Sequence, residues 1–191
     1  MTRRFVLATA NPDKAREISD ILSSFQLLPR PTSVPEIEET GATLSENALL
    51  KARALVTATG VAAVADDTGL EVYALDGAPG LYSARFAGER ATYSDNVARL
   101  LRDLDGVSPD RRGARFRTVA VAVWPDGREE VAEGKVDGSI ALSPRGRGGF
   151  GYDPVFIPTE GDGRTFAEMT ADEKHAISHR ARAFISLATR L

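Results

Sequence analysis

Short apolar segments alternate along this chain with segments that carry helix-start signals, and this alternation constrains the fold more than any other feature. The apolar segment 4–9 runs into Asn11, a favourable N-cap, and Pro12, which suits the first position of a helix. Apolar residues then recur at helical spacing to about Phe25. A second apolar segment, 61–65, is predicted to be a strand that ends at two aspartates. Strands that alternate with helices are typical of an α/β fold.

Later segments fit the same fold and add a hairpin. Residues 114–124 and 128–137 are predicted to form two long strands, because a Pro-Asp-Gly turn separates two segments of strand character. A threonine followed three residues later by an acid opens three further predicted helices, at Thr43, Thr92 and Thr170. The last of these is expected to continue unbroken to the C-terminus. We therefore predict an α/β fold with a mixed central sheet in a single domain that covers the whole chain.

The composition excludes several classes of function. The chain has 24 Lys+Arg against 27 Asp+Glu, so it lacks the basic surface that is typical of nucleic-acid-binding proteins. It has no cysteine, which excludes disulfides, zinc–thiolate sites and thiol nucleophiles. No segment approaches the ~20 apolar residues of a membrane span. We expect a cytoplasmic protein that binds neither nucleic acid nor membrane.

Two adjacent aspartates are the first candidates for chemistry. Asp66 and Asp67 follow the predicted strand 61–65, at the edge where open α/β sheets bind ligands. Alternation along a strand sends their side chains to opposite faces, so at most one points at a given site. Such a carboxylate can hold Mg²⁺ or activate water, or it can bond backbone amides in a turn. The loop acids Glu38 and Glu39 join this site only if the fold brings them close to Asp67.

Two loops have residues suited to a phosphorylated ligand and to a base. Residues 9–14 combine a helix N-terminus with Lys14, an arrangement that favours an anion, although many α/β turns share it. In residues 148–154, glycines flank Phe150, so the backbone can approach a ligand and the ring can stack on a base. The alternative for the second loop is a tight turn with Phe150 buried in the core.

The segment 173–180 carries a lysine, two histidines and an arginine. If the last helix is continuous, Lys174 and Ser178 lie one turn apart and point inward. A core-facing lysine needs a partner, because an unpaired buried charge is costly. We therefore expect Lys174, His179 and Arg180 to contribute to a site.

Taken together, these segments resemble the inosine/xanthosine triphosphate pyrophosphatase family, whose members remove noncanonical purine nucleoside triphosphates. The matching stretches occur in family order and span nearly the whole chain. Each one alone is a weak or moderate signal, whereas seven in register are specific. They are residues 7–14, 38–41, 46–48, 65–72, 77–86, 148–154 and 173–180.

The resemblance implies a two-lobed α/β fold with the active cleft between the lobes, a homodimer, and Mg²⁺-dependent hydrolysis of ITP, dITP or XTP to the monophosphate and pyrophosphate. It implies that Asp67 is the general base and a metal ligand, and that Glu38 is the second metal ligand. Arg180 is a candidate donor to the 6-keto oxygen of the base. The substrate-binding residues that it implies are Thr9, Asn11, Lys14, Lys51, Thr68, Phe150, Gly151, Tyr152, Asp153, Lys174, His179 and Arg180.

Two other functions stay open at this point. One is a nucleotide pyrophosphatase that prefers modified pyrimidines, which a substrate panel would distinguish. The other is a nucleotide-binding module without turnover. The metal-and-base pair of Glu38 and Asp67 argues against this second alternative, since a pure binder need not keep both.

Overall fold

The computed structural model describes residues 4–191, which form a mixed seven-stranded sheet flanked by helices, as predicted. The strands are β1 (Arg4–Leu7), β2 (Gln26–Leu28), β3 (Ala63–Val72), β4 (Pro79–Gly80), β5 (Gly113–Val123), β6 (Glu129–Ile140) and β7 (Phe156–Pro158). The α-helices are α1 (Pro12–Ile21), α2 (Leu44–Thr59), α3 (Tyr93–Asp103), α4 (Ala171–Ile177) and α5 (His179–Ala188).

The sheet combines parallel and antiparallel pairs. Its strand order is β2-β1-β3-β5-β6-β7, and β4 pairs with β3 off this path. β1 runs parallel to both β2 and β3, with Val6 opposite Leu28 and Leu7 opposite Val64. The β3–β4 and β6–β7 pairs are antiparallel. The predicted turn between β5 and β6 is present, with the Trp124 amide donating to the Arg128 carbonyl.

The described chain divides into two compact units, each with its own apolar core. The first unit contains the described residues up to Asp67 together with Thr118–Gly134 and His179–Leu191, and the second contains Thr68–Arg117 and Lys135–Ser178. The single domain over residues 1–191 stays a prediction. The core of the first unit includes Phe5, Ile18, Val64, Ala120 and Phe184, and that of the second includes Leu70, Leu100, Phe116, Val155 and Phe156.

Three predicted elements differ from those observed. β3 does not end before the aspartates but continues through both of them to Val72. The last helix is not continuous, because Ser178 adopts an extended conformation that separates α4 from α5. α1 ends at Ile21 rather than near Phe25, and the short β2 follows it.

Within residues 4–191, no helix combines the length and apolar character needed to cross a membrane.

Candidate active site

The start of α1 is built as its sequence predicts. The Asn11 side-chain oxygen accepts hydrogen bonds from the backbone amides of Asp13 (2.9 Å) and Lys14 (3.3 Å). The Asn11 amide in turn donates to Thr9 Oγ1 at 3.1 Å. Asn11 is therefore the N-cap, and its side-chain oxygen fixes the first turn rather than being held ready for a ligand.

Asp66 is the centre of a buried ionic network in the first unit. Its Oδ2 atom lies 3.2 Å from Lys14 Nζ and 3.3 Å from Arg180 Nε. The Arg180 guanidinium also contacts Glu17 through Nη1. The side chain of Asp66 is fully buried and that of Arg180 is 2% exposed. α1 and α5 thus both supply a cation to one carboxylate of β3.

The charges of this network shift the pKa values of its members. Burial acts to raise the pKa of Asp66, but the positive charges of Lys14, Arg180 and Lys51 outweigh it and hold that pKa well below the ordinary value. Burial lowers the pKa of Lys14, and the attraction of Asp66 offsets only part of that effect. Asp66 is therefore held in its ionised form as the carboxylate partner of Lys14 and Arg180.

Asp67 has a different set of partners, as strand alternation predicts. Its Oδ1 atom lies 3.1 Å from Lys51 Nζ, and its Oδ2 atom accepts a long hydrogen bond (3.4 Å) from Asn47 Nδ2. Asn47 and Lys51 are one turn apart on the same face of α2. Lys51 Nζ also contacts Glu39 Oε1 at 2.9 Å, so its ammonium group lies between two carboxylates.

Burial makes Asp67 a weaker acid than its neighbour. Burial raises the pKa of Asp67, and the attraction of Lys51 and Lys14 does not cancel that effect. For Lys51, burial acts to lower the pKa, but the charges of Asp67 and Glu39 raise it overall. Burial therefore makes the Asp67 carboxylate a stronger proton acceptor than an ordinary aspartate, although the charge of Lys51 acts against protonation.

The acidic loop contributes Glu39 rather than Glu38 to this group. Glu38 is exposed, whereas Glu39 is half-buried and contacts Lys51. The assignment of Glu38 as a metal ligand stays a prediction. Residues 4–191 contain no group of three or more His, Cys, Asp or Glu side chains that could hold a metal ion by itself.

In the second unit, Phe150, Asp153 and Lys174 come together as the sequence suggested. Asp153 Oδ2 accepts a hydrogen bond from the Phe150 amide (2.8 Å) and contacts Lys174 Nζ at 2.5 Å. Lys174 Nζ also lies 5.1 Å from the centroid of the Phe150 ring. The buried lysine therefore has its expected partner, although it belongs to a short helix and not to a continuous one.

The rest of the glycine loop is held by buried contacts. The Tyr152 hydroxyl donates to the Ser83 carbonyl oxygen at 2.9 Å, and burial raises the pKa of Tyr152. Gly149 has φ +66°, and a Cβ atom there would lie 2.1 Å from Asp153 Oδ2, so no other residue fits without displacing the carboxylate. Gly151 also has a positive φ, of +60°. Tyr152 therefore anchors the loop, and its hydroxyl donates its hydrogen bond within the protein.

The remaining predicted residues are placed as follows. Thr68 is half-buried in β3, directly after Asp67. His179 is 3% exposed at the start of α5. Glu39, a conditional candidate from the sequence, lies beside Asp67 through their shared contact with Lys51. Two residues in these networks, Glu17 and Asn47, were not selected from the sequence as site residues. The spacing of Asn47 and Lys51 was a signal for one of them, since the two positions share a helix face.

Comparison with known proteins places these residues in a family. The model of the Ham1 family matches residues 5–190. A dITP/XTP pyrophosphatase of Streptomyces coelicolor is 47% identical over 190 residues, which cover 96% of this chain and 94% of that protein. A dITP/XTP pyrophosphatase of Methylococcus capsulatus is 48% identical over 196 residues, with 100% and 97% covered.

A solved structure agrees with these sequence matches. The structure of a HAM1 protein from Coxiella burnetii superimposes with a TM-score of 0.88 at 39% identity, and the match covers 99% of this chain and 98% of that one. The family resemblance drawn from the seven sequence motifs is confirmed by these matches. This chain belongs to the Ham1 family.

Proposed function

We propose that this chain hydrolyses the noncanonical purine nucleotides ITP, dITP and XTP to the nucleoside monophosphate and pyrophosphate. The observation that carries the proposal is Asp67, a buried carboxyl group with a raised pKa that contacts Lys51 and Asn47. The substrate class is supported by relatives of nearly equal length that are named dITP/XTP pyrophosphatase.

In this proposal the first unit binds the triphosphate and carries out the reaction. Asp67 accepts a proton from the water that attacks the α-phosphorus. A new phosphorus–oxygen bond forms, the bond from the α-phosphorus to the bridging oxygen breaks, and pyrophosphate leaves. Lys14, Lys51 and the N-terminus of α1 offset the negative charge of the phosphates, and Thr9 and Asn11 shape that N-terminus.

Mg²⁺ fits the residues around Asp67. The Lys51 ammonium already lies between the carboxylates of Asp67 and Glu39, so this position favours a cation. Mg²⁺ is commonly held by one or two carboxylates together with substrate phosphates, which suits a site without a third acidic ligand. We assign Asp67 and Glu39 to the metal, in place of the exposed Glu38. When bound, Mg²⁺ would neutralise negative charge on the phosphates.

A pair of adjacent variants tests the metal assignment. Glu39→Gln is expected to raise the Mg²⁺ concentration needed for half-maximal pyrophosphate release, because a carboxylate ligand is lost. Glu38→Gln is the matched control, with the same change at the neighbouring position. If Glu38→Gln alone raises the requirement, the original assignment of Glu38 is correct instead.

A further set of residues is assigned to the base. Phe150 offers a ring on which a base can stack, and Asp153 and Lys174 hold that ring in place. Hydrogen-bond donors that face the 6-keto oxygen of hypoxanthine or xanthine would reject adenine. The 6-amino group of adenine is itself a donor, so the donors of the site would be left unpaired. Gly151, Tyr152, Thr68 and His179 are further residues of the proposed binding set. A homodimer and a cytoplasmic location are further parts of this proposal.

The position of bond cleavage tests the reaction directly. Hydrolysis of ITP in ¹⁸O-labelled water is expected to place the label in IMP, because water attacks the α-phosphorus. Label in pyrophosphate, or release of orthophosphate as the first product, would exclude the proposed reaction.

A further inference from the structure

An exposed tyrosine lies against the proposed base-binding ring. The centroids of the Tyr93 and Phe150 rings are 5.7 Å apart, and their planes meet at 45°. Tyr93 is 42% exposed, whereas Phe150 is half-buried, so part of the Tyr93 ring is accessible beside it. From the sequence alone, Tyr93 is predicted only to lie at the start of a helix.

The backbone of Tyr93 is held firmly. It is the first residue of α3, directly after the N-cap Thr92. Thr92 Oγ1 accepts a hydrogen bond from the Asp95 amide (3.2 Å), and Asp95 Oδ2 accepts one from the Thr92 amide (2.8 Å). This reciprocal capping box fixes the first turn. A tyrosine side chain has only two rotatable χ angles, so an ordered contact there costs little conformational entropy.

The neighbouring Phe150 is held from another direction. Its amide donates to Asp153 Oδ2, and Lys174 Nζ contacts the same oxygen and lies near the ring. The centroid of the Phe166 ring lies 5.6 Å from Lys174 Nζ, so the ammonium group is packed between two aromatic rings. The two rings therefore form an aromatic corner, defined here as Tyr93 and Phe150, and hydrogen bonds in the second unit hold the backbone of both residues.

The other two strongly exposed tyrosines of this unit have different surroundings. The Tyr73 hydroxyl donates to Asp137 at 3.1 Å. Tyr82 lies beneath the guanidinium of Arg85, 5.3 Å from its ring centroid. Of these three, Tyr93 is the one whose ring contacts a residue assigned to the base.

We propose that Tyr93 is a further substrate-binding residue that contacts the purine base together with Phe150, an inference that rests on the proposed function. Aromatic faces bind nucleobases by stacking, because every base presents a π-face. Two rings inclined at 45° cannot both stack on one flat base. Phe150 therefore takes the face of the base, and Tyr93 contacts its edge. A bicyclic purine can reach both rings, whereas a pyrimidine offers less surface to the second.

The test compares Tyr93→Ala with Tyr93→Phe, which keeps the ring, and with Tyr73→Ala as a matched control at another exposed tyrosine of the unit. Tyr93→Ala is expected to raise KM for ITP about tenfold, the scale of a lost base–aromatic contact, with kcat within about twofold. Tyr93→Phe and Tyr73→Ala are expected to keep the wild-type KM. Competitive inhibition by inorganic tripolyphosphate, which has no base, is expected to be equal in all four proteins.

The possible negative results distinguish failure of the Tyr93 inference from failure of the proposed function. If the wild-type protein hydrolyses ITP and Tyr93→Ala leaves KM unchanged, the role of Tyr93 is refuted while the proposed function stands. If Tyr93→Ala weakens inhibition by tripolyphosphate as much as it raises KM for ITP, the role of Tyr93 is also refuted, because the effect then does not depend on the base. If the wild-type protein neither hydrolyses ITP nor binds IMP in an equilibrium titration, both proposals fail.

Discussion

Asp66 and Asp67 are adjacent in the chain, yet their surroundings give them opposite properties. Lys14 and Arg180 hold the pKa of Asp66 well below the ordinary value, against the effect of burial. Burial raises the pKa of Asp67, which has Lys51 as its direct cation. Pairs of titratable groups whose environments move their pKa values apart often divide acid–base roles between them. This division supports the proposal that Asp67 is the general base, with Asp66 as a fixed charge.

Removing the Asp67 carboxylate is expected to slow the reaction strongly without unfolding the protein. We expect Asp67→Asn to lower kcat by about 10²-fold or more, the usual scale of general-base catalysis. The amide keeps the size of the side chain and can still accept from Lys51. Pyrophosphate release and the thermal midpoint are measured together. Near wild-type turnover in a folded variant would contradict the assignment of Asp67 as the general base.

Arg180 has a structural role that its sequence motif does not reveal. The motif suggested a donor to the base, but the guanidinium is 2% exposed and contacts Asp66 and Glu17. We expect Arg180→Ala to lower the free energy of unfolding by about 3–5 kcal/mol, because it removes one partner of a buried ion pair while Asp66 keeps Lys14. Urea unfolding measures the change.

The same variant can support the original hypothesis instead. If Arg180→Ala keeps wild-type stability and lowers the ratio of ITP to ATP in kcat/KM, then Arg180 recognises the base. Arg180→Lys serves as the control, because it keeps the charge but loses the two-pronged contact with Asp66 and Glu17.

At the scale of elements, the packing of α5 on β6 depends on one glycine. A Cβ atom on Gly134 would lie 2.1 Å from the His179 carbonyl oxygen and 2.4 Å from the Ala183 amide nitrogen. Both neighbours are backbone atoms of α5, so no side-chain rotation can relieve the contact. The close approach sets the position of the first turn of α5, which carries Arg180.

We therefore expect Gly134→Ala to destabilise the protein by about 1–3 kcal/mol, the usual cost of overpacking, and Gly134→Val to destabilise it further. Urea unfolding measures the free energy of unfolding of both variants relative to wild type. Because α5 would shift, kcat is expected to fall as well. Unchanged stability in Gly134→Ala would contradict the close approach of α5 to β6.

The start of α4 depends on charge. Arg164 donates to both oxygens of Glu173, and the Thr170 amide donates to Oε2 at 2.8 Å. The hydrogen bonds from Arg164 and then from the Thr170 amide lower the pKa of Glu173 to about 2. A carboxyl group whose pKa is lower in the folded state stabilises the fold above its unfolded pKa, and this contribution disappears as the pH falls.

Comparison of wild type with Glu173→Gln tests this pH dependence. The difference in Tm is expected to be constant between pH 6 and 8, to begin to shrink near pH 4.3, the ordinary value for Glu, and to vanish toward pH 2. Added salt is expected to reduce the difference at neutral pH, because the pair is exposed to solvent. An equal difference at pH 3 and pH 7 would exclude a contribution from the ionised pair.

At the scale of the whole molecule, most of the fold was predictable from local patterns. Capping signals at Asn11, Thr43, Thr92 and Thr170 marked the starts of four helices correctly. The long hairpin was also predicted, because apolar strands and a turn are both encoded by neighbouring residues. These features depend on interactions within one element or between adjacent ones.

The features that were missed depend on distant contacts. Two consecutive aspartates suggested that β3 ends before Asp66, but Lys14, Arg180 and Lys51 from three helices neutralise them, so the strand continues. The break at Ser178 has no local signal such as proline or glycine, and it lies where the chain passes from the second unit to the first. The contact of Glu39 with Lys51 likewise depends on where α2 places its lysine.

The most direct test of the proposed function is pyrophosphate release from ITP, XTP, GTP and ATP side by side, with Mg²⁺ and with an EDTA control. We predict fast release from ITP and XTP, slow release from GTP and ATP, and none with EDTA. Equal release from all four nucleotides would contradict the proposed base specificity. The absence of release from any of them would contradict the proposed enzymatic function itself.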